Sequence, residues 1–209
     1  PRSVVDVLPG LAERNAERKI MNLSFTVYLG AILFSLAALH LYPSIALWDA
    51  RLFLVLHPAL RRWVQGFRIL WQLGRTPFTI LCLLGMTLFN VQNGIRAAIV
   101  FALIASLEWG IKRSLQRARP FSVLPNVEME QPRPPHDASF PSGDAMRIWF
   151  LALALPAVLG LPLLMGAGAC LLALIVSLGR VALGVHYPLD VLAGIGLGTL
   201  GAGVLQFII

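Results

Sequence analysis

Apolar stretches of 15 to 21 residues recur along this chain, separated by polar connectors and one long polar loop. About 20 consecutive apolar residues match the ~30 Å hydrocarbon core of a bilayer at the rise of an α-helix. A helix also satisfies its own backbone where no water is available. The stretches are Leu23–Tyr42, Pro77–Val91 (of full length only if it begins near Phe67), Ile95–Ile111, Ala145–Leu159, Leu163–Leu183 and Leu189–Ile209. They predict an all-α, multi-pass integral membrane protein: a six-transmembrane-helix bundle with interfacial helices, spanning residues 23–209 behind a polar N-terminal segment, 1–22. With 57% hydrophobic and 13% charged residues, the chain is more apolar and less charged than soluble domains. The mixed polar start does not read as a signal peptide.

The segment Pro43–Arg75 interleaves Trp48, Trp63 and Trp71 with Arg51, Arg61, Arg62 and Arg68. Two readings stand side by side: helices lying at the interface, or a connecting loop with one short helix. Asn93-Gly94 is a turn signal between the second and third spans. The polar, proline-rich stretch from Lys112 to Ser139 reads as a long exposed loop. Cys82 and Cys170 lie in apolar runs and read as small buried hydrophobes. The net charge of +7 suits an anionic partner. The cations fall between apolar spans and no nucleic-acid-reading motif accompanies them, so nucleic acid is excluded as a partner.

An even number of spans puts both termini on one side. The other side then receives Pro43–Arg75, Lys112–Ser142 and the turn from Arg180 to Pro188, where the unusual polar residues gather. Lys112 and Arg119, seven apart, would share a helix face, and two such cations can clamp a phosphate. Ser142 fits a helix N-cap and Gly143 lets a ligand approach the backbone, at a helix start that favours anions. Taken alone, Ser-Gly-Asp is an ordinary cap. Asp190, four residues after His186, can reach back to the imidazole and fix its tautomer, and histidine can itself act as a nucleophile. Glu108, one turn before Lys112, reads as its structural partner. Glu128-Met129-Glu130 reads as a solvated loop face, and His40 and His57 as structural.

On these residues the chain resembles the type 2 phosphatidic acid phosphatase superfamily. Lys112, six residues and then Arg119-Pro120 match its first motif. Pro141-Ser142-Gly143 match the second, with Asp144 in place of histidine. Arg180, His186 and Asp190 match the third, with Gly179 in place of serine. The resemblance implies that Lys112, Arg119 and Arg180 bind phosphoryl oxygens with Ser142 and the Gly143 amide. It implies that His186 attacks phosphorus to give a phosphohistidine, and that Asp190 orients it. No metal or other cofactor is implied.

In the family the residue at position 144 protonates the leaving oxygen. Three readings of Asp144 stay open: a carboxylic acid with a raised pKa, an enzyme whose diphosphate substrate needs little acid because it expels a weak base, or a catalytically impaired relative. His136, in the same loop, is a substitute donor or a plain exposed histidine. The expected function is a membrane-embedded phosphatase acting on a lipid phosphate or isoprenoid diphosphate, its partners that amphiphile and the membrane lipids. The alternative is an impaired member binding a lipid head group or serving as a subunit of a membrane assembly. A transporter ranks third, because no paired broken helices mark a transport site.

Overall fold

The computed structural model describes residues 25–209. The segment 1–22 and the first two residues of the first span lie outside the described residues. Among those described, every regular element is helical.

Helix α1 (Phe25–Leu41) meets α2 (Pro43–Arg61) at 103°. The break falls at Tyr42, which is extended because the ring of Pro43 disfavours a helical residue before it. Next, α3 (Val64–Leu70) tightens into a 3-10 turn, Trp71–Gly74, and bends by 48° into α4 (Thr76–Phe89). Of the two readings of Pro43–Arg75, the helical one holds. One face of α2 buries Asp49, Phe53 and His57, spaced by one turn each, while Leu47, Trp48 and Val55 stay exposed.

Helix α5 runs from Val91 to Leu115. It starts earlier than the Asn93-Gly94 signal suggests. Asn90 is the N-cap, its side chain accepting from the Asn93 amide at 3.0 Å, so Asn93 and Gly94 lie inside the first turn. Gly94 is there for packing: a Cβ would lie 2.3 Å from the Thr87 backbone of α4. Gln116, in the left-handed region, ends α5. After the single turn α6 (Pro120–Val123) come α7 (Gly143–Leu159), α8 (Leu163–Ala182) and α9 (Pro188–Ile208). Gly160 (φ +64°) closes α7, and Gly184 (φ +76°) turns the chain between α8 and α9.

Helix α9 is the most enclosed of the long apolar helices, with 61% of its apolar window buried against 33% for α8 and 22% for the α5 segment. Its glycines explain how. A Cβ on Gly194 would stand 2.3 Å from the carbonyl of Ser142, the cap of α7, one on Gly198 2.4 Å from the Met146 carbonyl within α7, and one on Gly196 2.5 Å from the Phe34 amide of α1. Small residues let backbones approach this closely in lipid, where packing rather than hydrophobicity joins helices.

The outer surface is apolar: Leu163 is 90%, Leu88 87% and Leu164 83% exposed. Acyl chains, not water, solvate such a face. Among the described residues, three helical segments are long and apolar enough to cross a membrane alone, and up to five if each bent pair is one span. Helix α7 has 17 residues, including Asp144 and Arg147. At 1.5 Å per residue it rises roughly 26 Å, short of the ~30 Å core. The protein is an all-α, multi-pass integral membrane protein.

Candidate phosphate site

The ends of α5 and α8 meet the starts of α7 and α9 around a cavity of about 300 Å³. Lys112, Arg119, Gly143, Asp144, Arg180 and His186, all singled out from sequence, line it. Arg75, Arg147, Gln131 and Asp137 line it too. Five cations therefore face two carboxylates in one depression. Ser142 does not line the cavity. Its hydroxyl is turned into α7, 3.5 Å from the Ala145 amide, as a helix cap. Asp190 lies behind His186, fully buried.

Lys112 and Arg119 do come together, but not along one helix. Lys112 sits in the last turn of α5. The chain then leaves the helix at Gln116, and Arg119 is extended because Pro120 follows it. What joins them is Asp137. Its carboxylate pairs with the Lys112 ammonium and accepts from Arg119 Nη2 at 2.7 Å. Burial pushes the Asp137 carboxyl up, but Lys112 and Arg119 pull harder and hold it well below the usual carboxylate range. An anion thus already rests on the two cations of the first motif. Glu108 supports Lys112 from the preceding turn at 3.1 Å.

His186 lies in the connector between α8 and α9, almost fully buried. Its Nε2 is 3.1 Å from Arg119 Nη1, so Nε2 carries the lone pair and the proton sits on Nδ1. That Nδ1 faces Ser139 Oγ at 3.5 Å and Asp190 Oδ2 at 3.7 Å. Burial, with Arg119 close by, pushes the imidazole down to about 3, against the opposite pull of Asp190. His186 is therefore a neutral base at physiological pH. Between about pH 3 and 6.5, its ordinary value, the unfolded chain binds a proton here that the folded one does not. Stability from this group thus rises with pH through that window and is lost as pH falls. His186→Gln should flatten the decline in melting temperature of the detergent-solubilised protein between pH 6.5 and 4. An unchanged slope would contradict a neutral, buried His186.

Asp190 is held by four groups. Oδ2 accepts from Ser139 Oγ at 2.5 Å and from the Tyr187 amide at 2.9 Å, and Oδ1 accepts from Arg117 Nη1 at 2.6 Å; the fourth is the His186 imidazole. Arg117 also donates to Asp49 of α2 at 2.8 Å, and Asp49 accepts from the Leu189 amide at the start of α9 at 3.0 Å. The guanidinium stacks over Tyr187 at 4.1 Å. Asp49, Arg117 and Ser139 escaped the sequence reading. The available signal was Asp49 itself, a carboxylate set among apolar residues, because such a group at membrane depth requires a partner.

Asp144 takes the place of the motif histidine on the first turn of α7. Its Oδ2 accepts from Trp71 Nε1 at 3.1 Å and pairs with Arg180 Nη2 at 3.0 Å, while Oδ1 stands 3.6 Å from Arg147. Both Oδ2 partners are donors, which suits the ionised carboxylate and leaves a carboxylic proton nothing to meet there. The absence of a side chain at Gly74 lets Trp71 come this near: a Cβ would lie 2.9 Å from Asp144 Cβ.

The loop from 116 to 142 is more ordered by side chains than its prolines suggested. Gln131 accepts from Arg180 at 2.5 Å, and Gln131, Ser139 and Phe140 are buried. Glu130 is not a solvated loop face, since Arg61 and Arg68 grip it at 2.7 and 2.5 Å. His136 is exposed and lines the neighbouring groove rather than this cavity. His40 and His57 are structural, each with Nδ1 3.0 Å from a backbone carbonyl, of Ala37 and Val181. Among the described residues, no three His, Cys, Asp or Glu side chains gather as a metal site requires.

Comparison with known proteins agrees with the motif pattern. The chain is 36% identical over 106 residues to an undecaprenyl-diphosphatase of Sulfolobus acidocaldarius, covering 51% of this chain and 50% of that protein. It is 39% identical over 93 residues to a decaprenylphosphoryl-5-phosphoribose phosphatase of Mycobacterium tuberculosis, covering 44% and 48%. It spans about half the length of these relatives. In three dimensions it is similar to a transmembrane PAP2-type phosphatidylglycerolphosphate phosphatase from Bacillus subtilis, with a TM-score of 0.67 and 24% identity over 88% of this chain and 94% of the other. That likeness shows the fold. The family model of the PAP2 superfamily matches residues 78–207, from α4 through α9 and across all three motifs, and the chain belongs to that superfamily.

Proposed function

We propose that this protein is a membrane phosphatase that hydrolyses a lipid phosphate or isoprenoid diphosphate through a phosphohistidine on His186. The observation that carries this reading is one cavity in which a neutral imidazole lone pair meets Lys112, Arg119 and Arg180. The relatives' names, an undecaprenyl-diphosphatase and a decaprenylphosphoryl-5-phosphoribose phosphatase, support the substrate class. On this reading α7, packed against α9, is the fourth of six spans, and residues 23–209 form one domain.

The terminal phosphoryl group displaces Asp137 from Lys112 and Arg119 and is held there with Arg180 and the Gly143 amide. Preorganised cations then stabilise charge developing on its equatorial oxygens. His186 Nε2 forms the N–P bond as the P–O bond to the leaving group breaks. Asp190 and Ser139 keep the proton on Nδ1 and support the positive charge that grows on the ring. Water attacks the phosphohistidine, the N–P electron pair returns to Nε2, and both water hydrogens leave with the phosphate product before it equilibrates with solvent. The lipid tail stays in the bilayer while its head group reaches the cavity.

The test is phosphate release by purified protein over a panel of lipid mono- and diphosphates. Release that depends on His186 supports the reading, and a panel hydrolysed equally well by His186→Ala contradicts it. Asp144→His restores the family's proton donor. A positioned general acid contributes about 10²-fold or more, so this variant should hydrolyse a lipid monophosphate at least about tenfold faster, with a much smaller gain on the diphosphate of the same chain. Equal gains on both would count against Asp144 as the site of the missing acid.

A further inference from the structure

We infer that Arg147, helped by Arg75 at the cavity mouth, forms a second phosphoryl subsite that neutralises the departing phosphate of a diphosphate substrate. This inference rests on the proposed phosphatase reading and assigns a role to residues outside all three motifs. Arg147 lies one turn into α7, and its guanidinium folds back across Gly143, with Nη1 2.6 Å from where a Cβ would stand. Any side chain at 143 would displace it. Arg147 lines the same cavity as His186 and lies near enough to Arg180 to repel it.

Two features point to a ligand on this side of the cavity. The buried Nε of Arg147, and the Nε and Nη1 of the almost wholly buried Arg180, have no hydrogen-bond partner among the described residues. Buried guanidinium groups seldom leave donors unused, because each unsatisfied group is costly. The carboxylates also divide the cations into two anion positions. Asp137 sits on Lys112 and Arg119, and Asp144 sits on Arg180 beside Arg147. A monophosphate displaces Asp137 alone; a diphosphate also displaces Asp144 from Arg147, with Arg180 shared by its two phosphoryl groups. Arg75, held over the Trp71 ring at 4.8 Å, stands at the opening towards which the second phosphoryl group and its lipid tail would extend.

The chemistry agrees with the replacement at 144. His186 Nε2 attacks the terminal phosphorus, the bridging P–O bond breaks, and its electron pair stays on the bridging oxygen of the lipid monophosphate. That oxygen needs positive charge rather than a proton, and Arg147 supplies it.

The experiment measures binding of inorganic pyrophosphate and of orthophosphate to the purified protein by calorimetry, beside hydrolysis of farnesyl diphosphate and farnesyl monophosphate. Wild type should bind pyrophosphate about tenfold or more tightly than orthophosphate, the worth of one charged hydrogen-bond pair. Arg147→Gln should remove most of that preference and lower kcat on the diphosphate far more than on the monophosphate. Arg147→Lys should recover part of both. Arg75→Gln, at a half-exposed position, should shift the ratio in the same direction without endangering the fold. The inference is overturned if wild type shows no pyrophosphate preference, or if Arg147→Gln weakens both ligands equally. If neither ester is hydrolysed yet Arg147 still sets the pyrophosphate preference, the subsite stands and the phosphatase reading fails.

Discussion

His186→Ala should reduce phosphate release by at least about 10⁴-fold, to the level of the detergent blank. The size follows from what the residue does in the proposed reaction. A nucleophile that opens a covalent path cannot be replaced by its neighbours, and removal of such a residue elsewhere costs about 10⁶ in kcat. Lys112, Arg119 and Arg180 would remain, so substrate binding should survive with a change of only a few fold. Loss of turnover with retained binding separates a missing nucleophile from a collapsed site. Among the described residues no second imidazole lines the cavity: His136 faces another groove, and His40 and His57 are committed to backbone carbonyls.

Arg117→Ala should be the most damaging substitution outside the cavity. Arg117 is the cation between two fully buried carboxylates, Asp49 and Asp190. Removing one partner of a buried ion pair costs about 3–5 kcal/mol, because the remaining charge stays desolvated and uncompensated. Here two carboxylates lose the same partner, and the tie from α2 to the start of α9 goes with it. Asp190 would then relax away from Ser139 and His186, so activity should fall together with thermal stability in detergent. Arg117→Lys should be partly tolerated in stability, yet a single ammonium cannot fork to both carboxylates as the guanidinium does. A variant Arg117→Ala that melts like wild type would contradict the bridging role.

The contrast between Arg117 and Arg119 shows what the sequence could disclose. Arg119, His186 and Asp190 stand at fixed short spacings from Lys112, Pro120 and Arg180, and spacing is legible in one dimension. Arg117 carries no such signature. Its partners lie 68 and 73 residues away, and only the folding of α2 against α9 brings them together. The helices were legible for a similar reason, because a bilayer imposes length and apolarity on each segment independently. Their ends were less so. Asn93-Gly94 looks like a turn until Asn90 is seen to cap α5 and Gly94 to admit the Thr87 backbone.

Ser142 takes the cap that its local pattern predicts rather than the phosphate contact that the resemblance implies, and Asp137 takes a place among the cations that no pattern announces. Ser142 belongs to a motif, yet its hydroxyl caps α7. Asp137 looked like one polar residue in a loop, yet it neutralises the two leading cations of the cavity. A cation cluster at this depth attracts whatever anion the chain can bring to it, and a proline-rich loop gives no periodicity from which that approach could be foreseen. Arg147 was hidden differently: it sits within an apolar helix, where its direction depends on the bare Cα of Gly143.

The most direct test of the proposed mechanism is to quench the protein during turnover of a radiolabelled lipid diphosphate, under conditions that preserve phosphoramidates, and to map the label by peptide mass spectrometry. One phosphoryl group is expected on the His186 imidazole, absent from His186→Ala and enriched when water attack is slowed at low temperature. Turnover with the label on another residue, or with no labelled protein at any time during the reaction, would contradict it.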